Sequence, residues 1–386
     1  MQHATLRRMI ELLRAPGGTL LEACRAEPEM RPAFRVPAER YRDAAHLERE
    51  RAALFGSARA GTWHGPPRVI AASSAVAAGG CLPIDLPGLS LILTRGADGA
   101  IRGLANACRH RATRLVDAPC TAKALVCPYH GWTYDLTGAL IHVPHAEAFT
   151  AADRRDLAAL PVAERHGLVW LGAGGDGVDG YLGELGADLA ALELDRHTLW
   201  RSRRETRRCN WKLIVEAFLD AYHFRILHRD SVYRFFVDAA SALEPVGRHI
   251  RTVTARRTLR DAPRELPVGG ELRLLGTPSF VVFPATVIIV HPDFISVMTM
   301  HPRTAGETDY EHLMLVPADR AGDAAHWDKS WALIDEAVFQ REDLWVCEQI
   351  QRGITAGTTE ELVFGELESA VRLLHAEIDR ALEPPG

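Results

Sequence analysis

The sequence predicts an α+β protein: a small antiparallel β domain, then a larger domain in which an antiparallel sheet is covered by helices. Three observations carry this. Short apolar runs such as Ser90-Leu-Ile-Leu-Thr94 and Ile101-Arg-Gly-Leu-Ala105 alternate with turn signals such as Gly96-Ala-Asp-Gly99 and Asp135-Leu-Thr-Gly138, the texture of short antiparallel strands. Between Leu272 and Val316, the strand-like runs Phe280–Phe283, Thr286–Val290 and Phe294–Met298 are punctuated by Pro284, Pro292 and Pro302. From Ala324 to Leu382 the pattern becomes helical, with Trp327, Trp331, Ile334 and Val338 recurring at i, i+4, i+7 and i+11.

Taken in order, residues 1–50 read as an N-terminal helical segment. Met1 to Arg14 sets Arg7, Arg8 and Arg14 among Leu6, Ile10, Leu12 and Leu13, a short amphipathic helix with no apolar run long enough for a signal peptide. Ala15-Pro-Gly-Gly18 breaks it, and Tyr41 to Arg59 returns as a charged helix with Leu47 and Leu54 on its apolar side. Residues 51–172 form the small β domain, closing on the strand Gly167–Leu171. Gly172-Ala-Gly174-Gly-Asp-Gly177 then has the G-x-G-x-x-G form of a dinucleotide loop, with Glu193 and Asp195 about 20 residues on. No βαβ unit precedes it and Gly183 and Gly186 interrupt the segment after it, so 173–200 reads as a Gly-rich linker. Residues 201–386 make the larger domain, opening on the basic strand Arg201–Arg208, whose alternate solvated positions suit a sheet edge.

A chain of 386 residues is long enough for two or three domains and a large core. Its 47% hydrophobic and 25% charged residues are ordinary for a globular protein, and a net charge of −5 offers no basic footprint for nucleic acid. The most apolar stretch, Phe280 to Val290, is interrupted by Pro284 and falls far short of the ~20 residues a membrane span needs, so a cytoplasmic protein is expected. Seven cysteines, an odd number widely scattered, do not form a disulfide framework. Cys209 and Cys347 read as small buried hydrophobes.

Two constellations carry chemistry. Cys108-Arg-His110 and Cys127-Pro-Tyr-His130 each supply one thiolate and one imidazole, a set that holds either a tetrahedral Zn²⁺ or a [2Fe–2S] cluster with one iron on sulfur and the other on nitrogen. The C-x-H and C-x₂-H halves lack the C-x₂₋₄-C spacing of a zinc ribbon, which favours the cluster. Further on, the stretch from Asn210 to His228 places Glu216, Asp220 and His223 at i, i+4 and i+7, one face of a continuous helix. His228 lies about 140° further round, so the helix must end or distort near Ile226 if both imidazoles are to meet one ion.

The two Cys-His loops, continuing through Arg111 and through Gly131-Trp132, resemble the Rieske domain of ring-hydroxylating oxygenases. Tyr129 stands where respiratory Rieske proteins carry an additional cysteine, and Ala112 stands where the family usually has glycine, a strained position if it needs φ > 0. Together with N-W-K-x₃-E-x₃-D-x-Y-H-x₄-H, the resemblance to the α subunits of Rieske non-haem iron oxygenases covers nearly the whole chain. It implies that Cys108, His110, Cys127 and His130 hold the cluster, and that His223 and His228 bind one Fe(II) with Asp343 as third ligand. Glu342 is the adjacent competitor for that place and Glu348 a weaker one. Asp220 would bridge His223 and the partner subunit's His130 in a homotrimer, with or without a β subunit. Ala217 stands where many relatives have asparagine near the iron.

The resemblance further implies a terminal oxygenase that uses O₂ on an aromatic or other hydrophobic organic molecule, by mono- or dioxygenation. Its electrons would come from NAD(P)H through a separate reductase or ferredoxin, since the chain has no credible flavin or nicotinamide site. Phe218, Phe224, Phe283, Ile289 and Met298 are candidates to line the substrate pocket. The C-terminal domain also resembles relatives that oxidise N-methyl groups of small quaternary amines, an alternative substrate class. Two readings of another class, an electron-transfer protein and a zinc-binding module, require a vestigial iron triad or the absence of the cluster.

Overall fold

The computed structural model describes residues 1–14, 33–59, 62–153, 155–172, 175–263, 265–266 and 269–383. The break expected at Ala15–Gly18 lies outside them. The chain divides into two compact units, one formed by residues 55–181 and the other by 1–54 together with 182–386.

The smaller unit is antiparallel β throughout its larger sheets. Five strands lie in the order Ala159–Leu160, Ile101–Ala105, Leu89–Arg95, Gly80–Leu86 and Cys120–Thr121. A second sheet joins Val162–Arg165, Leu168–Leu171 and Arg68–Ala72, and a third joins Leu140–His142, Thr133–Tyr134 and Leu125–Val126. The strand Leu89–Arg95 is buried on both faces: Leu91 and Leu93 pack with Ile70, Val169 and Leu171, whereas Ile92 packs with Leu104, Leu125, Trp132 and Tyr134. Burial on both sides is why this strand reads as an unbroken apolar run instead of an alternating one.

The larger unit is built on a seven-stranded antiparallel sheet, ordered His197–Arg207, Glu307–Pro317, Ile295–Thr304, Thr286–Val290, Gly276–Val282, His249–Arg256 and Phe236–Val246. The basic strand takes the edge, as its alternation predicts. Trp327 and Trp331 pack with Phe294, Met314 and Val316, so the expected helical stripe does cover the sheet. The C-terminal region is not wholly helical, however. After Ala324–Trp331, a π-helical run Ala332–Asp343 and Leu344–Thr355, the strand Glu361–Phe364 pairs with Phe34–Pro37 before the last helix, Ser369–Leu382.

Two expected boundaries differ from the structure. The N-terminal segment is not separate: the helix His3–Arg14 lays its buried Leu6, Met9 and Ile10 toward the strands Phe236–Val246 and His249–Arg256. A little further on, the Glu50 carboxylate accepts from Lys212 Nζ at 2.6 Å and Trp211 Nε1 at 2.8 Å, with both ionised side chains fully buried. A buried ammonium without its carboxylate is costly, so this pair holds residues 1–54 to the rest of the unit. The stretch 173–200 is not a linker either, since it contains the helices Gly175–Leu182 and Leu185–Ala190 and the start of the strand at His197. Val178, Leu182, Leu185 and Leu189 are all buried and recur at helical spacing, which outweighs the glycines between them. Among the described residues no helix is long and apolar enough to cross a membrane.

Candidate metal centres

The two Cys-His loops are local copies of one another. In the first, Cys108 N–H donates to Thr113 O and Ala112 N–H to Cys108 O; in the second, Cys127 N–H donates to Trp132 O and Gly131 N–H to Cys127 O. The residue four past each cysteine is left-handed, Ala112 at φ 58° and Gly131 at φ 73°. The strain anticipated at Ala112 is therefore real, and the glycine in the matching loop position shows what the turn demands. The cysteines are buried, His110 is half-buried and His130 exposed. His110 and His130 meet edge to face at 4.8 Å between centroids, and His110 stacks on Trp132 at 5.1 Å.

Burial alone would raise the Cys127 thiol, but the backbone N–H groups of Tyr129 and His130, with Cys108 and Thr113, hold it below the ordinary value. On the other side, Tyr134 OH lies 3.3 Å from Cys108 Sγ and accepts from Arg109 N–H at 3.0 Å. Burial raises the Tyr134 phenol, so it stays protonated and can donate to a thiolate. The four donors do not converge on one point: among the described residues, only His223, His228 and Asp343 place their ligand atoms within 4.8 Å of one another. A sulfur pair inside and an imidazole pair outside fit a two-iron cluster better than a single tetrahedral zinc.

The second centre departs from the expected continuous helix. Asn210 starts the helix Trp211–Leu219 by accepting from Lys212 N–H at 3.0 Å, but the chain leaves it at Asp220, with φ −109° and ψ 137°. The Asp220 carboxylate accepts from Tyr222 N–H, a local turn that competes with helix continuation. His223 then begins a second short helix, Phe224–Leu227. The break thus falls at Asp220, before Ile226, and Glu216, Asp220 and His223 do not share one helical face. Glu216 is committed elsewhere, to Tyr41 OH and His375 Nε2, both at 2.9 Å.

The break brings His223 Nε2 within 3.1 Å of His228 Nε2, with Asp343 Oδ1 at 3.6 Å from the first and 3.2 Å from the second. His228 and Asp343 are buried, at 2% and 3% exposure. The outer ring nitrogens are occupied: His223 Nδ1 lies 3.0 Å from Asp220 and His228 Nδ1 2.7 Å from Glu342. If each Nδ1–H donates to its carboxylate, the two Nε2 lone pairs face each other and Asp343 Oδ1, which has no hydrogen-bond partner among the described residues. Three unprotonated donors crowded in this way repel one another unless a cation lies between them. Edges near 3 Å are also what ligands roughly 2.1 Å from one ion and at right angles would show. The residues therefore fit a metal ion on three donors, with other coordination positions left open.

Glu342, the competitor for third ligand, instead accepts from His228 and from Ser231 Oγ, the latter at 2.7 Å. Glu348 is turned to Arg208 N–H at 3.1 Å. Adjacent positions at the end of the π-helical run Ala332–Asp343 thus take different tasks.

A cavity of about 190 Å³ opens beside the triad and is lined in part by His223, His228 and Asp343. Of the pocket candidates, Phe218, Phe224 and Ile289 line it. Phe283 and Met298 are buried outside it, further along the sheet from the Ser279–Ile289 pair. Sequence reasoning missed the polar part of the lining, Thr252, Thr254, Thr277, Ser279 and Arg256, on the sheet face that also carries Ile289. Strand alternation was the available signal, but it does not say which face meets the site.

Two family models match the chain, the Rieske [2Fe-2S] domain over residues 67–161 and the ring hydroxylating alpha subunit (catalytic domain) over 190–384. Chlorobenzene dioxygenase subunit alpha of Cupriavidus sp. is 37% identical over 150 residues, 34% of this chain and 32% of that protein. The carnitine monooxygenase oxygenase subunit of Escherichia coli is 31% identical over 217 residues, 54% of this chain and 55% of that protein. The chain thus spans only about a third to a half of the length of these curated relatives. The solved structure of a quaternary ammonium Rieske monooxygenase superposes with a TM-score of 0.76 over 93% of this chain and 98% of that one, at 19% identity, a likeness of fold. With the catalytic-domain model matching residues 190–384 and the cluster-domain model lying upstream, the chain belongs to the ring-hydroxylating alpha subunits, which pair a Rieske [2Fe–2S] cluster with a mononuclear iron.

Proposed function

We propose that this chain is the terminal oxygenase component of a multicomponent Rieske system, acting on a small aromatic or other hydrophobic organic substrate. The observation that carries this is the cavity beside His223, His228 and Asp343, lined in part by Phe218, Phe224, Val338 and Phe339. Cys108, His110, Cys127 and His130 would hold the cluster, and His223, His228 and Asp343 the iron. When bound, the iron would supply O₂ activation at its open positions and the cluster would supply electrons one at a time. Asp220 and Glu342 orient the two imidazoles and keep Nε2 of each free of a proton. The apolar side chains of the lining would hold the substrate beside the iron without ligating it.

Electrons would reach the cluster from NAD(P)H through a separate reductase or ferredoxin, and the cytoplasm is the compartment where such donors and reduced cysteines occur. A homotrimer, with or without a β subunit, is the assembly we infer; the superposed quaternary ammonium monooxygenase structure is described as revealing inter-subunit electron transfer. In such an assembly Asp220 would link His223 to the partner subunit's His130. Likeness to the E. coli carnitine monooxygenase subunit favours a second reading, oxidation of a small quaternary amine.

The test is protein purified without oxygen, assayed for iron, zinc and sulfide, then mixed with a reductase, NAD(P)H, O₂ and candidate substrates. Two cluster irons, one further iron, two sulfides per chain and substrate-dependent O₂ consumption with an oxygenated product are expected. Zinc without sulfide would identify a zinc module. A cluster without product or mononuclear iron would identify an electron-transfer protein.

A further inference from the structure

The polar part of the cavity lining carries a charge that no carboxylate pairs with among the described residues. Arg256 ends the strand His249–Arg256 and lines the cavity; its guanidinium donates to Thr277 Oγ1 at 3.2 Å and lies over the rings of Phe235 and Phe236 at 5.6 and 5.3 Å. Among the described residues no carboxylate pairs with it, and burial alone lowers its pKa. Two other arginines of this unit do meet carboxylates: Arg251 bonds both Glu244 and Asp188, and Arg203 bonds Asp335. A half-buried guanidinium without a counter-charge is costly unless a ligand supplies one.

The surroundings of Arg256 are built for an anion. Thr252 pairs across the sheet with Ser279, and Thr254 with Thr277, so four hydroxyl side chains form a square on the cavity-facing side beside the guanidinium. Thr254 Oγ1 shares a hydrogen bond with Ser241 Oγ at 3.0 Å, and the hydroxyls of Thr252, Thr277 and Ser279 can each donate to an acceptor oxygen. His291, on the same wall, is pushed down to about 3 by burial, His312 and Arg256, and as a neutral imidazole it offers no negative charge. The helices supply the rest of the lining: the aromatic rings of Phe218, Phe224 and Phe339, with Asp220 and the triad His223, His228 and Asp343 beside them. A dry cavity of about 150 Å³ takes one benzene. The ~190 Å³ here therefore suits one ring with a small substituent.

We propose that the substrate is a monocyclic organic carboxylate, its carboxylate seated on Arg256 and the adjacent hydroxyls and its ring against the aromatic wall beside the metal triad. This deepens the oxygenase reading and rests on it for the chemistry. A planar carboxylate matches the guanidinium fork, whereas a quaternary ammonium would meet a like charge there.

The experiment is calorimetric titration of the holoenzyme with a panel of monocyclic acids (benzoate, salicylate, anthranilate and phenylacetate), with the amide of each, and with choline. At least one acid should bind tenfold or more tighter than its amide. Arg256→Gln should weaken that acid on the order of 30-fold or more while weakening the amide far less, and Arg256→Lys should restore part of the loss. Amides binding as tightly as acids throughout the panel in the unmodified protein, or choline binding best, overturns the proposal, and this comparison needs no variant to fold. An acid preference that survives Arg256→Gln overturns it as well. Turnover is read separately: Arg256-dependent acid binding with no O₂-dependent product sinks the oxygenase reading and keeps the anion site. Oxygenation of neutral rings with no acid preference does the reverse.

Discussion

Glu342→Gln is the substitution that separates the two neighbouring carboxylates by role. The change keeps size and an acceptor oxygen for Ser231, and removes the charge that faces His228 Nδ1 at 2.7 Å. His228 is 2% exposed and the Glu342 side chain 19%, so solvent does little to screen the bond. Hydrogen bonds to charged groups contribute about 1.5–3 kcal/mol, which corresponds to roughly 10- to 150-fold in iron affinity. Carboxylates that orient metal-bound histidines typically change affinity by about 10- to 100-fold, so the two ranges agree. The assay is competition for mononuclear iron against a chelator of known affinity, with cluster absorbance recorded in the same sample. Glu342→Gln should weaken iron by that factor and leave the cluster untouched, while Asp343→Asn should abolish stoichiometric mononuclear iron. If Glu342→Gln loses iron completely and Asp343→Asn only weakens it, the assignment of the third ligand is reversed.

Cys108→Ser or Cys127→Ser should abolish the visible absorbance of the cluster while mononuclear iron is retained, because a serine oxygen replaces a thiolate poorly on iron; metal analysis with absorption spectra checks both. Asp220→Asn should leave both metals bound but slow cluster-to-iron electron transfer by orders of magnitude in a single turnover, and near-normal product per reduced cluster would reject the bridge. Ala112→Gly should stabilise the unit formed by residues 55–181. Relief of a left-handed alanine is worth about 1–2 kcal/mol, the extra freedom of unfolded glycine takes back about 0.5–1, and the net gain of about 0.5–1 kcal/mol is read from the denaturant midpoint of cluster bleaching.

Legibility in the sequence depends on how local each determinant is. The two Cys-His loops were readable because every donor lies within a few residues of its turn, and even the strain at Ala112 comes from a single missing glycine. His223 and His228 were readable as a pair, but the helix end at Asp220 was not, because no proline or glycine marks it and one side-chain turn decides it. Glu342 and Asp343 stand about 100° apart on a helix, so spacing alone gives both a view of the site. Only the position of His228 distinguishes ligand from orienting partner. Arg256 and the four hydroxyls escaped notice because strand alternation tells which residues share a face without telling what that face meets. The Glu50–Lys212 pair was out of reach for a different reason, since its members are 162 positions apart.

That separation has a consequence for biosynthesis. The unit formed by residues 1–54 and 182–386 is discontinuous, and the chain of the other unit is threaded between its halves. At about 5–20 residues per second, a ribosome needs roughly 8–32 s to travel from Glu50 to Lys212. During that interval Glu50, Tyr41 and the apolar face of the first helix lack the distant partners that hold them in the folded unit, while residues 55–181 leave the tunnel as a complete folding unit. The cluster-binding unit is thus the first that can fold on the nascent chain, and the N-terminal segment must wait unfolded for its distant sheet. Slowing translation after residue 181 lengthens that wait and exposes the segment to proteases and chaperones, whereas the same pause placed before residue 50 does not.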